Sequence, residues 1–219
     1  MAPAAGAQPL PDVVAVMDRA LPGPVRFAGG ADALIVLDGN NAFWLDRDHF
    51  EAEPVDSIYG YPMATVTAGT GRALAPGAAP LVRRWWQVCL AAEVAGTGSG
   101  VVKFVSKYLK EREQFGKPLG AFQALQHRLI ECYVAVEGVR WLTREAAFRG
   151  APAELAASAA VAGVEATQRI LQEAHQLSGA IGFTLEFDLH LWSLRLQTLR
   201  FEAGGIGAHA RCLVDSRWR

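Results

Sequence analysis

Two separated segments carry side chains whose types and spacing suit binding of an anionic, aromatic ligand. The first places Arg112, Gln114 and Phe115 within four residues. A guanidinium matches phosphate oxygens, an amide both donates and accepts hydrogen bonds, and a phenyl ring packs on an aromatic face. The second holds Gln176 and Gly179, and a glycine lets backbone approach a bulky ligand. From these residues alone, the simpler interpretation is that Arg112 interacts with the end of a helix.

Other possible motifs fail on spacing. The glycine run at 96–100 lacks the Gly-Lys-Ser/Thr ending of a phosphate-binding P-loop, and we expect its small residues to let helices approach closely. The sequence has no Glu-x-x-His of the kind that di-iron bundles repeat. We therefore predict no metal site and interpret the scattered histidines as packed or polar residues: His127, His175, His190 and His209. A basic stripe is either a solvated helix face or an anion contact: Lys103, Lys107, Lys110 and Arg112.

Long helices must position these side chains. Apolar residues recur at helical spacing from Pro80 onward, and Gly and Pro interrupt the pattern. The spacing predicts four helices, over about 80–114, 122–149, 152–178 and 186–201. Short connections between long helices indicate antiparallel neighbours. Residues 78–219 therefore predict an antiparallel four-helix bundle, and the fold class is mainly α.

The sequence before position 78 is different in kind. Short apolar runs alternate there with Pro, Gly, Asp and Asn. The runs 33–37 and 42–45 flank a turn and predict a β-hairpin, and 63–68 predicts a third strand. Three short strands bury little surface alone. Residues 1–77 are therefore predicted to form a small, incomplete β unit.

Composition excludes several classes of protein. The 219 residues are 51% hydrophobic and carry a net charge of −1, which supports a packed core and disfavours a nucleic-acid or anionic-membrane partner. Three separated cysteines disfavour a disulfide scaffold. Residues 1–12 lack the pattern of a signal peptide, and we find no uninterrupted apolar stretch of membrane-spanning length. We expect a cytoplasmic protein with no membrane partner.

Three segments, 108–119, 175–186 and 188–192, together resemble the C-terminal helical domain of the acyl-CoA dehydrogenase family. Arg-x-Gln-Phe-Gly at 112–116 and Gln-x-x-Gly-x-x-Gly-Phe at 176–183 are similar to flavin-contact motifs of that family. The resemblance covers about residues 80–215. It implies a shared FAD, held largely by a neighbouring subunit and contacted at its adenosine-diphosphate half by five residues of this chain: Arg112, Gln114, Phe115, Gln176 and Gly179.

The sequence also departs from the family. Residues 1–77 resemble only the latter part of its middle β domain, without a recognisable N-terminal helical domain, and its paired glycines stand here as Gly179-Ala180. The family's reaction needs a carboxylate to remove the proton next to the thioester. Its two positions for that base fall on or near Ala203 and Trp86, neither of which is acidic. Glu202, one residue away, is the candidate base and Glu93 a second, and for each the alternative is an ordinary surface carboxylate.

The resemblance implies a subunit of a heteromeric FAD-dependent acyl-CoA dehydrogenase. A full-length homologue would be the partner, supplying the catalytic Glu and most of the flavin site. The substrate would be an acyl-CoA, by analogy a bulky one such as a steroid side chain. Two alternatives remain open at this point. One is a self-sufficient homo-oligomer that uses Glu202, and the other is a structural pseudo-enzyme that binds no flavin.

Overall fold

The computed structural model describes residues 11–218. The segment on which the signal-peptide expectation rests therefore lies almost wholly outside the described residues. The chain divides into two compact units, Met1–Pro80 and Leu81–Arg219. The first unit is built from strands, whereas helices dominate the second.

The first unit holds two small sheets. One has the strand order β1-β3-β4-β7 and the other has the order β2-β6-β5. Within the described residues of this unit the strands are β1 (Val14–Asp18), β2 (Val25–Arg26), β3 (Ala33–Asp38), β4 (Asn41–Asp46), β5 (Phe50–Val55), β6 (Met63–Ala68) and β7 (Arg72–Ala73). Leu34, Leu45 and Phe50 are buried together in the core of the unit.

The predicted hairpin and third strand of this unit are confirmed. Strands β3 and β4 pair antiparallel from Ala33↔Asp46 to Asp38↔Asn41, and Gly39 takes the positive φ of 55° that the turn requires. Strand β5 was not predicted. It is an edge strand whose exposed face carries Glu51 and Glu53 and which contains Pro54. Charged residues and proline are typical of edge strands, but they do not give the apolar alternation from which a strand is predicted.

The second unit is a helical bundle, which confirms the predicted fold class. Its helices are α1 (Ala78–Glu111), which begins at the end of the first unit, α2 (Gln123–Phe148), α3 (Ala153–Ser178), α4 (Leu189–Phe201) and α5 (Gly205–Trp218). Helices α1 and α2 run antiparallel, and a short hairpin of β8 (Glu113–Gln114) and β9 (Lys117–Pro118) joins them. Helix α5 is not among the predicted helices, and it packs mainly against α3.

Small residues let α1 pack closely in the bundle core. A Cβ at Gly98 would lie 2.9 Å from both Val136 and Ile170. A Cβ at Gly100 would lie 2.6 Å from the Trp192 ring. The prediction that the 96–100 run allows close helix approach is confirmed at these two glycines. Gly96 differs, because nothing lies within 4 Å of its Cβ position.

Helix α1 is long and apolar enough, by length and composition alone, to cross a membrane. The expectation that no stretch has these properties is therefore wrong for this helix. The core helix of a bundle meets the same criterion, and 44% of the apolar window of α1 is buried within the protein. Leu90, Val94 and Val105 of α1 lie in the bundle core, which accounts for its apolar character.

Candidate functional site

Three of the predicted contact residues lie on one exposed hairpin at the C-terminal end of α1. Phe115 and Gly116 form its two-residue turn with φ of 55° and 77°, as a type I′ turn requires. Left-handed backbone costs a residue other than glycine about 1–2 kcal/mol. The turn nevertheless holds Phe115 with 89% of its surface exposed. Strain of this kind is characteristic of ligand-binding segments.

The side chain of Arg112 is available for a ligand. Its backbone N–H donates to Tyr108 O at 2.9 Å, and its carbonyl accepts from Leu119 N at 2.8 Å. These bonds fix the start of the hairpin and leave the guanidinium exposed. Within residues 11–218 the guanidinium has no hydrogen-bond or ion-pair partner. Within the described residues, the Arg112 guanidinium therefore does not cap the C-terminal carbonyls of α1, which was the simpler interpretation of the sequence.

The second predicted motif lies where α3 ends. Gly179 follows the last helical residue with a φ of 65°, and both it and Gln176 are exposed. The turn of 3₁₀ helix at Gly179–Phe183 then redirects the chain. Gly182 is buried, and a Cβ there would approach Ser178 Cβ to 2.8 Å. A glycine at 182 is thus required by packing, whereas Gln176 and Gly179 face solvent.

Phe187 joins the segments that carry the two motifs. Its ring centroid lies 4.7 Å from that of Phe104 and 5.2 Å from that of Tyr108, both on the last turns of α1. The backbone carbonyl of Tyr108 accepts a hydrogen bond from the backbone N–H of Arg112. Phe187 lies four residues beyond Phe183. The structure therefore brings both motifs to the same end of the bundle, as one binding surface would require.

Glu202 lies at a different corner, between α4 and α5. Its Oε1 accepts a hydrogen bond of 3.1 Å from Trp86 Nε1 on α1. The three residues that follow all have positive φ. Ala203 is one of them, with φ 51° and ψ 34°, although it lacks the conformational freedom of glycine. This sharply turned corner presents a half-buried carboxylate that an indole N–H holds in place.

A buried polar pair lies next to this corner. Gln87 Nε2 is 3.2 Å from Nδ1 of His209, and His209 is only 1% exposed. Burial lowers the pKa of His209, because it disfavours the imidazolium, and the nearby backbone of Glu202 partly opposes that shift. His209 is thus a packed residue, as predicted. Its place beside the candidate base was not predicted, since it depends on a helix that the sequence pattern did not reveal.

The two corners are far apart. Trp86 and Glu111 are separated by 25 residues of continuous α1, which is about 38 Å along the helix axis. The Arg112 hairpin and the Glu202 corner therefore lie towards opposite ends of α1.

No group of three or more His, Cys, Asp or Glu side chains is placed to hold a metal ion in the part of the chain that the structure describes. Glu93 is half-buried on α1, near enough to the Cys89 thiol to help burial raise the pKa of that thiol.

The bundle, its terminal hairpin and the Gly179–Phe183 turn define the C-terminal domain of a flavin-dependent dehydrogenase class. Residues 85–215 match the family described as acyl-CoA dehydrogenase, C-terminal domain. That match covers more than half of the chain. The chain belongs to the acyl-CoA dehydrogenase family.

Several relatives bear on the chain's place within the family. Acyl-CoA dehydrogenase IpdE2 of Mycolicibacterium smegmatis is 34% identical over 75% of this chain and 52% of its own length. Acyl-CoA dehydrogenase FadE34 of Mycobacterium tuberculosis is 32% identical over 85% of this chain and 28% of its own length. The chain thus spans about half, or less, of the curated relatives it matches.

Solved structures share the fold. The Tcur3481–Tcur3483 steroid ACAD variant superposes with a TM-score of 0.79 at 29% identity, over 94% of this chain and 62% of that one. The ChsE4–ChsE5 complex of Mycobacterium tuberculosis superposes with a TM-score of 0.72 at 21% identity, over 95% of this chain and 62% of that one. At that lower identity the second likeness shows the fold alone.

Proposed function

We propose that this chain is a subunit of a heteromeric FAD-dependent acyl-CoA dehydrogenase whose full-length partner houses most of the flavin and supplies the catalytic Glu. The observation that carries the proposal is the position of the Arg112 hairpin. It is exposed and about 38 Å along α1 from the corner of the candidate base. Because the hairpin is exposed, a ligand bound there leaves surface that a second polypeptide can hold, which supports the proposal.

The residues at this end of the bundle fit the adenosine-diphosphate half of FAD. The Arg112 guanidinium suits the pyrophosphate charge, and the amides of Gln114 and Gln176 suit the adenine or ribose edge. Gln114 Nε2 here donates to Glu113 O at 2.7 Å, so it must exchange that local bond for one to the ligand. Phe115 would cover the ligand from water, and Gly179 leaves room beside it. When bound, FAD supplies the acceptor for the hydride.

The proposed reaction is α,β-dehydrogenation of a CoA thioester with a bulky acyl group. Support for the acyl group comes from the 29% identical structure, which is named as a steroid ACAD. Support for a heteromer comes from the same structure, since it is named by two components. We further propose that residues 1–77 correspond to the latter part of the family's middle β domain.

The test is co-expression with a full-length acyl-CoA dehydrogenase homologue encoded beside this chain. We expect a yellow, active complex from the pair and a colourless product from this chain alone. In the complex, Arg112→Ala should lower the ratio of flavin to protein. Arg149→Ala should not, because this arginine, which is also exposed, pairs with Glu145 at the C-terminal end of α2, away from the hairpin. Full flavin retention in the Arg112 variant would instead favour a structural subunit that contributes nothing to the cofactor.

A second candidate function is favoured by the Trp86–Glu202 hydrogen bond. Trp86 lies at one of the two positions that the resemblance gives for the base, and Glu202 lies beside the other. A homo-oligomer could then use Glu202 to take the proton next to the thioester, with Trp86 orienting the carboxylate. A yellow, active homo-oligomer of this chain alone would establish that alternative and overturn the heteromer.

A further inference from the structure

Helices α1 and α2 share an exposed face that the flavin proposal does not use. Near the C-terminal end of α1 this face contains a groove of about 430 Å³. Leu129, Ile130 and Tyr133 of α2 contribute apolar surface to it, and Ile130 is 57% exposed. Large apolar side chains beside an open groove commonly mark an interaction surface.

The groove is also positively charged. Lys103, Lys107 and Lys110 line it at a spacing of four and three residues, so all three lie on one side of α1. Lys107 Nζ is 3.9 Å from Oε1 of Glu111, the one carboxylate in the lining. Three ammonium groups against one carboxylate leave an excess of positive charge here, on a chain whose net charge is −1.

The apolar surface continues along α2 beyond the groove. Four exposed residues follow one another at spacings of four, seven and seven: Ile130, Val134, Trp141 and Phe148. On an α-helix these positions lie within about 40° of one another and extend over about 27 Å. Trp141 is 64% exposed and Phe148 is 93% exposed. The stripe is therefore straight and much longer than the groove.

These features together distinguish between possible occupants. A small anion would need only the lysines, and a solvated helix face would not carry an exposed Trp and Phe in line. A straight stripe at heptad-like spacing fits the apolar side of another helix. Aromatic residues are enriched at the centres of protein interfaces, and the lysine row favours a partner with acidic residues opposite it.

We propose that the α1–α2 face docks an amphipathic helix of the partner subunit. Its apolar side lies along Ile130, Trp141 and Phe148, and an acidic edge faces Lys103, Lys107 and Lys110. Only the identity of the partner, the full-length homologue, rests on the proposed function. The chemistry of the docking helix follows from the face itself.

A pair of synthetic peptides tests the chemistry of the face with the full chain. One is a 20-residue helix with Leu at matching spacing and Glu along one edge, and its twin has Lys in place of Glu. We expect the Glu peptide to bind about tenfold more tightly at low salt, and the difference to shrink as salt rises. Lys103→Glu/Lys110→Glu should reverse the preference. The matched pair Arg72→Glu/Arg211→Glu, exposed but outside the groove, should not.

Other outcomes would overturn the docking proposal. One such outcome is that the Glu and Lys peptides bind equally tightly. Another is that Lys103→Glu/Lys110→Glu leaves the preference for the Glu peptide unchanged. Binding of phosphatidylglycerol vesicles or inorganic pyrophosphate that the Glu peptide does not displace would assign the face to a membrane or a small anion instead. Trp141→Ser should weaken the binding of both peptides equally, because it removes apolar contact without changing the charge of the face.

The co-expressed complex separates this proposal from the flavin proposal. Lys103→Glu/Lys110→Glu should prevent co-purification of the partner, whereas Arg112→Ala should leave the complex assembled but poor in flavin. A lysine variant that assembles normally overturns the docking proposal and leaves the proposed function standing. A wild-type complex that depends on the lysines but holds no flavin supports docking and overturns the proposed function.

Discussion

Trp86 and Glu202, 116 residues apart in sequence, are joined by a hydrogen bond of 3.1 Å from the indole Nε1 to Oε1 of the carboxylate. The bond ties the N-terminal half of α1 to the corner between α4 and α5. The resemblance to the family places its two alternative bases on or near Trp86 and Ala203. The structure brings these two sequence positions together, with an indole at one and a carboxylate next to the other.

The first prediction concerns the strength of this bond. Trp86→Phe keeps most of the ring but removes the donor, so Oε1 of the half-buried Glu202 carboxylate loses this hydrogen bond. We expect the free energy of unfolding to fall by about 1–2 kcal/mol, measured by urea denaturation. A double-mutant cycle with Glu202→Ala isolates the pair. A coupling energy near zero would show that the bond contributes nothing to stability.

The second prediction concerns catalysis. Glu202→Gln preserves an oxygen that can accept the Trp86 hydrogen bond but cannot take a proton as a carboxylate does. If the partner supplies the base, turnover of the co-expressed complex should stay within about twofold of wild type, since no transition-state interaction is lost. Flavin content, measured on the same sample, is the control. Loss of turnover with flavin retained would identify Glu202 as the base.

Helix boundaries were largely predictable because glycine and proline mark them. The breaks after Glu111, Phe148 and Ser178 each coincide with such residues nearby. Helix α5 was not predictable in this way, because it begins at Gly205 and contains Gly207, which normally indicate the end of a helix. Its packing against α3 overrides local propensity.

The candidate site was only partly predictable. The Arg112 hairpin can be recognised from a continuous motif, and the structure adds that its turn is strained and exposed. The roles of Trp86, Gln87 and His209 could not be found by counting along the chain, since each depends on a contact between distant helices. The site residues inferred from the family resemblance stay predictions until flavin binding is measured.

The third prediction tests the close approach of helices around α1. Gly98→Ala places a methyl group 2.9 Å from Val136 and Ile170, and overpacking of a core costs about 1–3 kcal/mol. Gly96→Ala is the matched control on the same helix, because nothing lies within 4 Å of its Cβ position. Alanine there should stabilise by about 0.5–1 kcal/mol. Thermal melts of both variants should therefore shift in opposite directions, and shifts of the same sign would contradict the packing described.

The fourth prediction concerns His209 and pH. Burial lowers the pKa of this histidine below its ordinary value of 6.5, so the folded protein disfavours the imidazolium more than the unfolded chain does. Above the unfolded pKa both states are neutral and the full stability is present. As the pH falls below it, the unfolded chain takes up a proton first, and stability is lost. We expect the wild type to lose free energy of unfolding between pH 7 and pH 5.

His209→Gln separates this loss from that caused by carboxylates elsewhere in the chain. The glutamine side chain does not titrate and can still hydrogen-bond to Gln87, whose amide lies 3.2 Å from the imidazole. Both proteins share every other titrating group, so the difference between their urea denaturation curves at the two pH values reports His209 alone. The variant should lose less stability than the wild type on acidification. An equal loss in both would show that the buried imidazole is not coupled to folding, and that the Gln87–His209 pair tolerates a charge beside the Glu202 corner.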